Sequence, residues 1–152
     1  MLLPLPGHTR LAEPIVLQGS ARVIDGDTLE VGGQRIRLSG IDAPEARQRC
    51  TDAAGAAWPC GRRAAMALTQ AVGTAEVTCT ARRRDRYQRL VALCEAGGVD
   101  VGRRMVADGM AMAHPRFGQA YMPTEEMARL AGLGVWSGGL DTPWEWRAAR
   151  RR

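Results

Sequence analysis

No stretch of this 152-residue chain approaches the roughly 18 consecutive apolar residues needed to cross a bilayer, so no membrane span is expected. The first residues, Met1-Leu2-Leu3-Pro4-Leu5-Pro6-Gly7, lack a positive n-region and are interrupted by two prolines, which excludes reading them as a secretory signal peptide. Cys-x-x-Cys is absent and both histidines lie away from the cysteines, which weighs against a zinc site. Internal repeats are absent too. Lysine and asparagine do not occur, and all 21 Lys+Arg positions are arginine. The formal charge of +5 and pI near 9.7 suit an anionic partner such as nucleic acid. The same arginine-, alanine- and glycine-rich composition also fits a coding bias, so the placement of charge carries the argument.

At this length, with 45% hydrophobic residues, one globular domain with a core is expected. The opening stretch holds Pro4, Pro6 and Pro14 without a clear period and reads as an arm, residues 1–19, whose end can join a sheet. Short strands follow at Ala21–Ile24, Leu29–Val31 and Arg35–Leu38. Ala64, Ala65, Leu68 and Val72 recur at helical spacing within 61–72. A hairpin over about 75–96 turns at Arg86-Tyr87. A second helix spans 99–109, and a third starts at a Thr124 cap and runs through Leu130. His114–Tyr121 reads as a loop, and the arginine-rich end from 141 to 152 as a solvated basic tail. The order of elements indicates an α+β fold: a five-stranded antiparallel OB-fold β-barrel with three α-helices.

Four cysteines pair by local closure. Folding the hairpin symmetrically about its turn sets Cys79 opposite Cys94, within disulfide reach, and Cys50 and Cys60 bracket a small-residue loop. Two bridges point to an oxidising compartment, secreted or periplasmic, in tension with the missing signal peptide. Four buried thiols remain the alternative.

Three motifs carry the chemistry: Val23-Ile24-Asp25-Gly26-Asp27-Thr28, Arg37-Leu38-Ser39-Gly40-Ile41-Asp42-Ala43-Pro44-Glu45, and Asp85-Arg86-Tyr87-Gln88-Arg89. Paired carboxylates repel unless a cation lies between them, and forked guanidinium groups grip phosphate. Alone, Asp25-Gly26 is turn chemistry and Asp42-Ala43-Pro44 a turn or helix start. Combined, they describe a metal-assisted site for cutting a phosphodiester.

In this order the motifs resemble the thermonuclease family, the staphylococcal nuclease-like proteins. Met105-Val106-Ala107-Asp108-Gly109-Met110-Ala111 and Gly134-Val135-Trp136 extend the likeness over about residues 20–138, giving a domain at 20–140. The resemblance implies a calcium-dependent nuclease acting on DNA and/or RNA as a monomer and leaving 3′-phosphate ends. It implies that Asp27, Asp42 and the Ala43 carbonyl hold Ca2+, with Asp25 supporting them from behind. Arg37 and Arg89 then grip the scissile phosphate, Glu45 stands beside the attacking water, and Arg86 and Tyr87 meet the terminal phosphate and sugar. Ala43 stands where the family often has threonine, and Gln88 where it usually has glycine. His114 and Arg116 occupy a region where family members present tyrosines to the base. The rival reading is a noncatalytic OB-fold module that binds nucleic acid or protein.

Overall fold

In the computed structural model, which describes residues 7–139 and 142–151, the chain runs strands first and helices last. Strands β1 (Thr9–Gly19), β2 (Ala21–Asp25), β3 (Thr28–Val31) and β4 (Gln34–Leu38) are followed by three two-residue strands, β5 (Ile41–Asp42), β6 (Cys50–Thr51) and β7 (Ala57–Trp58). Helix α1 (Cys60–Val72) precedes the hairpin β8 (Val77–Arg84) and β9 (Leu90–Ala96). Then come β10 (Val99–Asp100), α2 (Val101–Ala107), β11 (Met112–Ala113), α3 (Met122–Leu130) and α4 (Pro143–Arg150). No helix among the described residues is long and apolar enough to cross a membrane.

The main sheet corrects the expected five-stranded antiparallel arrangement. It has seven strands in the order β1-β8-β9-β4-β3-β2, with β10 attached to β9. The β4/β9 pair is parallel, Arg37 standing opposite Val91. Much of the arm, residues 9–19, is β1, which follows β8 antiparallel despite an irregularity between Arg10 and Ile15. That bulge brackets Pro14, which has no N–H to give a ladder. Among the described residues there are four α-helices, not three. The second starts at Val101, capped by Asp100, whose carboxylate accepts from Arg103 N at 3.1 Å. The third starts at Met122, ahead of Thr124, because Pro123 fits the first turn of a helix. Residues 143–150 of the expected tail are helical: Thr142 Oγ1 accepts from Glu145 N at 3.1 Å and Pro143 opens the first turn. Residues 1–6 of the expected arm, 140 at the end of the expected domain, and 141 and 152 of the expected tail lie outside the described residues.

Alternation explains the sheet. In β8, Val77, Cys79 and Ala81 are buried while Thr78 and Arg82 face out, and in β4 Ile36 and Leu38 are buried while Arg35 is exposed. Ala64, Leu68 and Val72 bring one face of α1 onto this core with Leu29, Ile36 and Leu90. Each such leucine or isoleucine, once fully buried, contributes about 1.5–3 kcal/mol. A smaller cluster of Cys50, Cys60, Met112 and Val135 receives Trp58, Trp136 and Trp144. Disulfides join Cys50 to Cys60 and Cys79 to Cys94, the latter across directly paired positions of β8 and β9.

Candidate active site

Four backbone segments deliver the polar side chains to one side of the sheet. The β2–β3 turn carries Asp25 and Asp27 and is pinned to β4 by a 2.8 Å bond from Leu38 N to the Asp27 carbonyl. Gly26 between them is a packing requirement: a Cβ there would stand 2.7 Å from the Ala64 Cβ and 2.8 Å from the Ala43 Cβ. The Asp-Gly-Asp sequence therefore lets the two acids sit directly over α1. Arg37 projects from β4, beside Thr28 in the register. Asp42 lies in β5, paired with Met112 of β11, and is only 1% exposed. Glu45 follows in a loop clasped by Gln48, whose Oε1 accepts from Glu45 N at 3.1 Å.

Asp27 is held from several directions. Its Oδ2 accepts from Ala43 N at 2.9 Å and its Oδ1 from Thr28 Oγ1 at 3.1 Å. Arg37 Nη1 lies 2.8 Å from Asp27 Oδ2, and Arg37 Nη2 reaches Asp42 Oδ1 at 3.4 Å, so one guanidinium spans both acids. The Nη1 contact is a close ion pair off the hydrogen-bond direction, and that buried N–H has no well-directed acceptor. Burial would push the Asp27 carboxyl up, but the Arg37 charge and the Ala43 N–H outweigh it and hold it below the ordinary value. Asp25, whose Oδ1 accepts from Asp27 N at 3.2 Å, shifts the other way: burial, then the Asp27 charge, push it up to about 6.

The hairpin tip supplies the remaining arginines. Asp85, 5% exposed, accepts from Arg89 Nε at 2.7 Å and from the backbone N–H groups of Tyr87 and Arg89. Gln88 takes the left-handed conformation at φ +66°, the backbone geometry that glycine adopts without strain. Arg86 Nη2 donates to the Tyr87 hydroxyl at 2.7 Å, its Cζ 4.8 Å from the ring centroid.

Asp25, Asp27, Arg37, Ala43, Glu45, Arg86, Tyr87 and Arg89 all line one cleft of about 530 Å³. Asp42 lies beneath it, covered by arginines. An adjoining cleft of about 190 Å³ shares Arg37, Arg86, Tyr87 and Arg89 and adds His8, Arg83, His114 and Phe117. His114 serves its loop: Nδ1 accepts from the N–H groups of Arg116 and Phe117, and burial lowers its pKa.

One member of the site lies in the segment expected to be a solvated tail. Arg147 of α4 holds both oxygens of Asp42, Nη2 to Oδ2 at 2.7 Å and Nη1 to Oδ1 at 3.1 Å, and Nη1 also donates to Glu45 Oε1 at 2.7 Å. Hydrogen bonding to Asp42 raises the pKa of Arg147 further, locking in its charge. A local signal for the helix exists in Thr142-Pro143-Trp144-Glu145, a cap residue, a proline at the first helical position and an acid three residues after the cap. The partners of Arg147, more than a hundred residues away, leave no local trace.

The converging donors are all oxygen, the set a hard cation takes. Among the described residues, however, no three acidic, histidine or cysteine side chains are spaced to close on one ion. The counter-charge to Asp27, Asp42 and Glu45 comes from Arg37 and Arg147.

A family profile described as Staphylococcal nuclease homologue matches residues 35–138. The chain belongs to this family. It is 40% identical over 128 residues to the Succinoglycan biosynthesis protein ExoI of Rhizobium meliloti (strain 1021), covering 82% of this chain and 66% of that protein, just under two thirds. It is 33% identical over 151 residues to the Micrococcal nuclease of Shigella flexneri, covering 86% of this chain and 79% of that protein. An Uncharacterized endonuclease of Escherichia coli is 34% identical over 134 residues, covering 83% of this chain and 81% of that protein. The matched span of the staphylococcal nuclease homologue profile takes in Arg37, Asp42, Glu45 and Arg89 and begins after the Asp25-Gly26-Asp27 turn.

Proposed function

We propose that this member of the staphylococcal nuclease family is a calcium-dependent nuclease that hydrolyses phosphodiester bonds of DNA and/or RNA and leaves 3′-phosphate ends. The observation carrying the reading is Arg37: its guanidinium bridges two buried acids and lines the same cleft as Arg89. Relatives named as nucleases support the reaction class. The antiparallel meander β2–β3–β4 and the β8–β9 hairpin, with the loops that carry the site, suit the oligonucleotide-binding type of barrel.

Asp27 and Asp42, with the Ala43 carbonyl, are the groups that would hold calcium, Asp25 standing behind Asp27. Calcium bound there would supply positive charge to the phosphate. The protein's own part is electrostatic. Phosphodiester hydrolysis gathers charge on the nonbridging oxygens, and the Arg37 and Arg89 guanidinium groups are the donors that meet it. Arg89 keeps Nη1 and Nη2 for this task because Asp85 takes only its Nε and backbone N–H. Glu45, freed from Arg147, orients the attacking water or accepts its proton. Arg86 and Tyr87 offer charge and an aromatic face to the flanking nucleotide.

The test is incubation of the purified protein with single-stranded DNA, duplex DNA and RNA, in calcium or in chelator, followed by end-group analysis. Cleavage that requires calcium and yields 3′-phosphate is the expected result. Arg147 on Asp42 and Glu45 favours the second reading, a noncatalytic module that holds nucleic acid; retention without cleavage in calcium would select it.

A further inference from the structure

Arg147 sits where the proposed chemistry needs room. A carboxylate oxygen ligates calcium at about 2.3–2.6 Å, and a guanidinium donating to that oxygen brings a like charge against the ion. Both oxygens of Asp42 and one of Glu45 are engaged in this way by the single side chain of Arg147. Arg37 presses on the same Asp42 from the other side at 3.4 Å.

The element that carries Arg147 is built to dock and release. α4 is eight residues long, too short to be stable alone, so its position depends on what it touches. Thr142 caps it, and Trp144 packs on the cluster of Cys50, Cys60, Met112 and Val135. Arg147, one turn on, provides the ion pairs, while Glu145, Ala148, Ala149 and Arg150 are exposed. Trp144 thus seats the helix and Arg147 latches it. The latch is a charge contact with the Arg147 side chain 35% exposed, and an element with so few buried contacts opens at low cost.

We propose that α4 is a built-in brake on metal loading, in which Arg147 acts as a tethered cation on Asp42 and Glu45 and calcium competes with it for them. The inference rests on the calcium reading of the site. Withdrawal of Arg147 frees Asp42 Oδ2, leaves Oδ1 with only the 3.4 Å contact to Arg37, and releases Glu45 for water in one movement.

The experiment is a calorimetric calcium titration of four full-length proteins, wild type, Arg147→Ala, Arg147→Gln and Asp42→Asn, with circular dichroism to check folding. Both Arg147 variants are expected to bind calcium about tenfold or more tightly than wild type, as removal of a charge-assisted pair implies. Hydrogen exchange of the α4 amides in the wild type is expected to speed up as calcium is added. Arg147→Gln carries the test if the alanine variant fails to fold. If the wild type binds calcium, Asp42→Asn does not, and neither Arg147 variant binds more tightly than wild type, the brake is overturned while the calcium reading stands. If none of the four binds calcium, the calcium reading fails and the brake fails with it.

Discussion

Asp85 grips Arg89 twice, accepting from its Nε at 2.7 Å through one oxygen and from its backbone N–H at 3.0 Å through the other. The carboxylate thereby fixes the guanidinium plane from outside the larger cleft, which it does not line. Asp85→Asn keeps an acceptor for the hairpin N–H groups and loses the charge that aims Arg89. The fold is expected to survive and cleavage to slow by about tenfold or more, since misplacement of a transition-state donor is costly. Rates for Asp85→Asn, Arg89→Ala and the double variant check this: the double should be little worse than Arg89→Ala, and fully additive losses would separate the two residues.

Arg37 has two duties, and its loss should show both. On the proposed nuclease reading, Arg37→Ala removes a phosphate donor, expected to cost about a hundredfold or more in rate. It also leaves Asp27 and Asp42 without their shared guanidinium, and breaking such a buried pair costs roughly 3 kcal/mol. Chemical denaturation of the calcium-free variant should show that loss, and added calcium should restore much of it by taking the vacated counter-charge role. A variant as stable as wild type without calcium would contradict the bridging role.

Asp25 gives a pH signature. Its folded value of about 6 lies above the ordinary 3.8, so the native state binds more protons between those values. Its contribution to stability is therefore present at acid pH and is lost as pH rises from about 4 through about 6. Asp27, held low, has the opposite sign: its contribution is present above the ordinary carboxylate value and is lost as pH falls. Asp25→Asn keeps an oxygen for Asp27 N and is expected to raise the calcium-free denaturation midpoint at pH 7.5 but not at pH 4.5. An equal gain at both would assign the effect to something other than ionisation.

Gly61 at the start of α1 holds the Glu45 loop close. A Cβ there would fall 1.8 Å from the Glu45 carbonyl oxygen and 2.7 Å from that of Ala46. Gly61→Ala must push loop and helix apart, at a cost of about 1–3 kcal/mol or more. Cleavage should slow beyond what reduced stability explains, because Glu45 moves with its backbone. Denaturation curves and rates well below the melting temperature separate the two effects.

Much of the site was legible because its chemistry is local in sequence. Asp25 and Asp27 share a turn, Asp42 and Glu45 are three residues apart, and Arg89 follows its hairpin, so motif order carried the grouping. The strands at 21–38 and α1 announced themselves by period, since their buried faces repeat every two or every three to four residues. What escaped depends on distant partners. β1 reaches back to Thr9, beyond the end expected to join a sheet, because β8 pairs with both of its ends, and Pro14 and the uneven pattern hide that. α4 is short and lies in an arginine-rich segment, and its place is decided by Trp144 meeting Cys50, Cys60, Met112 and Val135 and by Arg147 meeting Asp42 and Glu45. The count of strands failed for a related reason: β5, β6, β7, β10 and β11 are two residues each, too short for any period.

The parallel pairing of β4 with β9 sets an order of events in folding. Antiparallel β2, β3 and β4 are joined by two-residue turns and can form early, whereas Ile36 meets Leu90 only after more than fifty intervening residues are in place. Arg37 lies on the early meander and Arg89 on the late hairpin. A chain leaving the ribosome would carry its acids and first arginine long before the second arrives, and would stay inert until the hairpin docks. In refolding, the return of cleavage should lag behind the return of the far-ultraviolet signal.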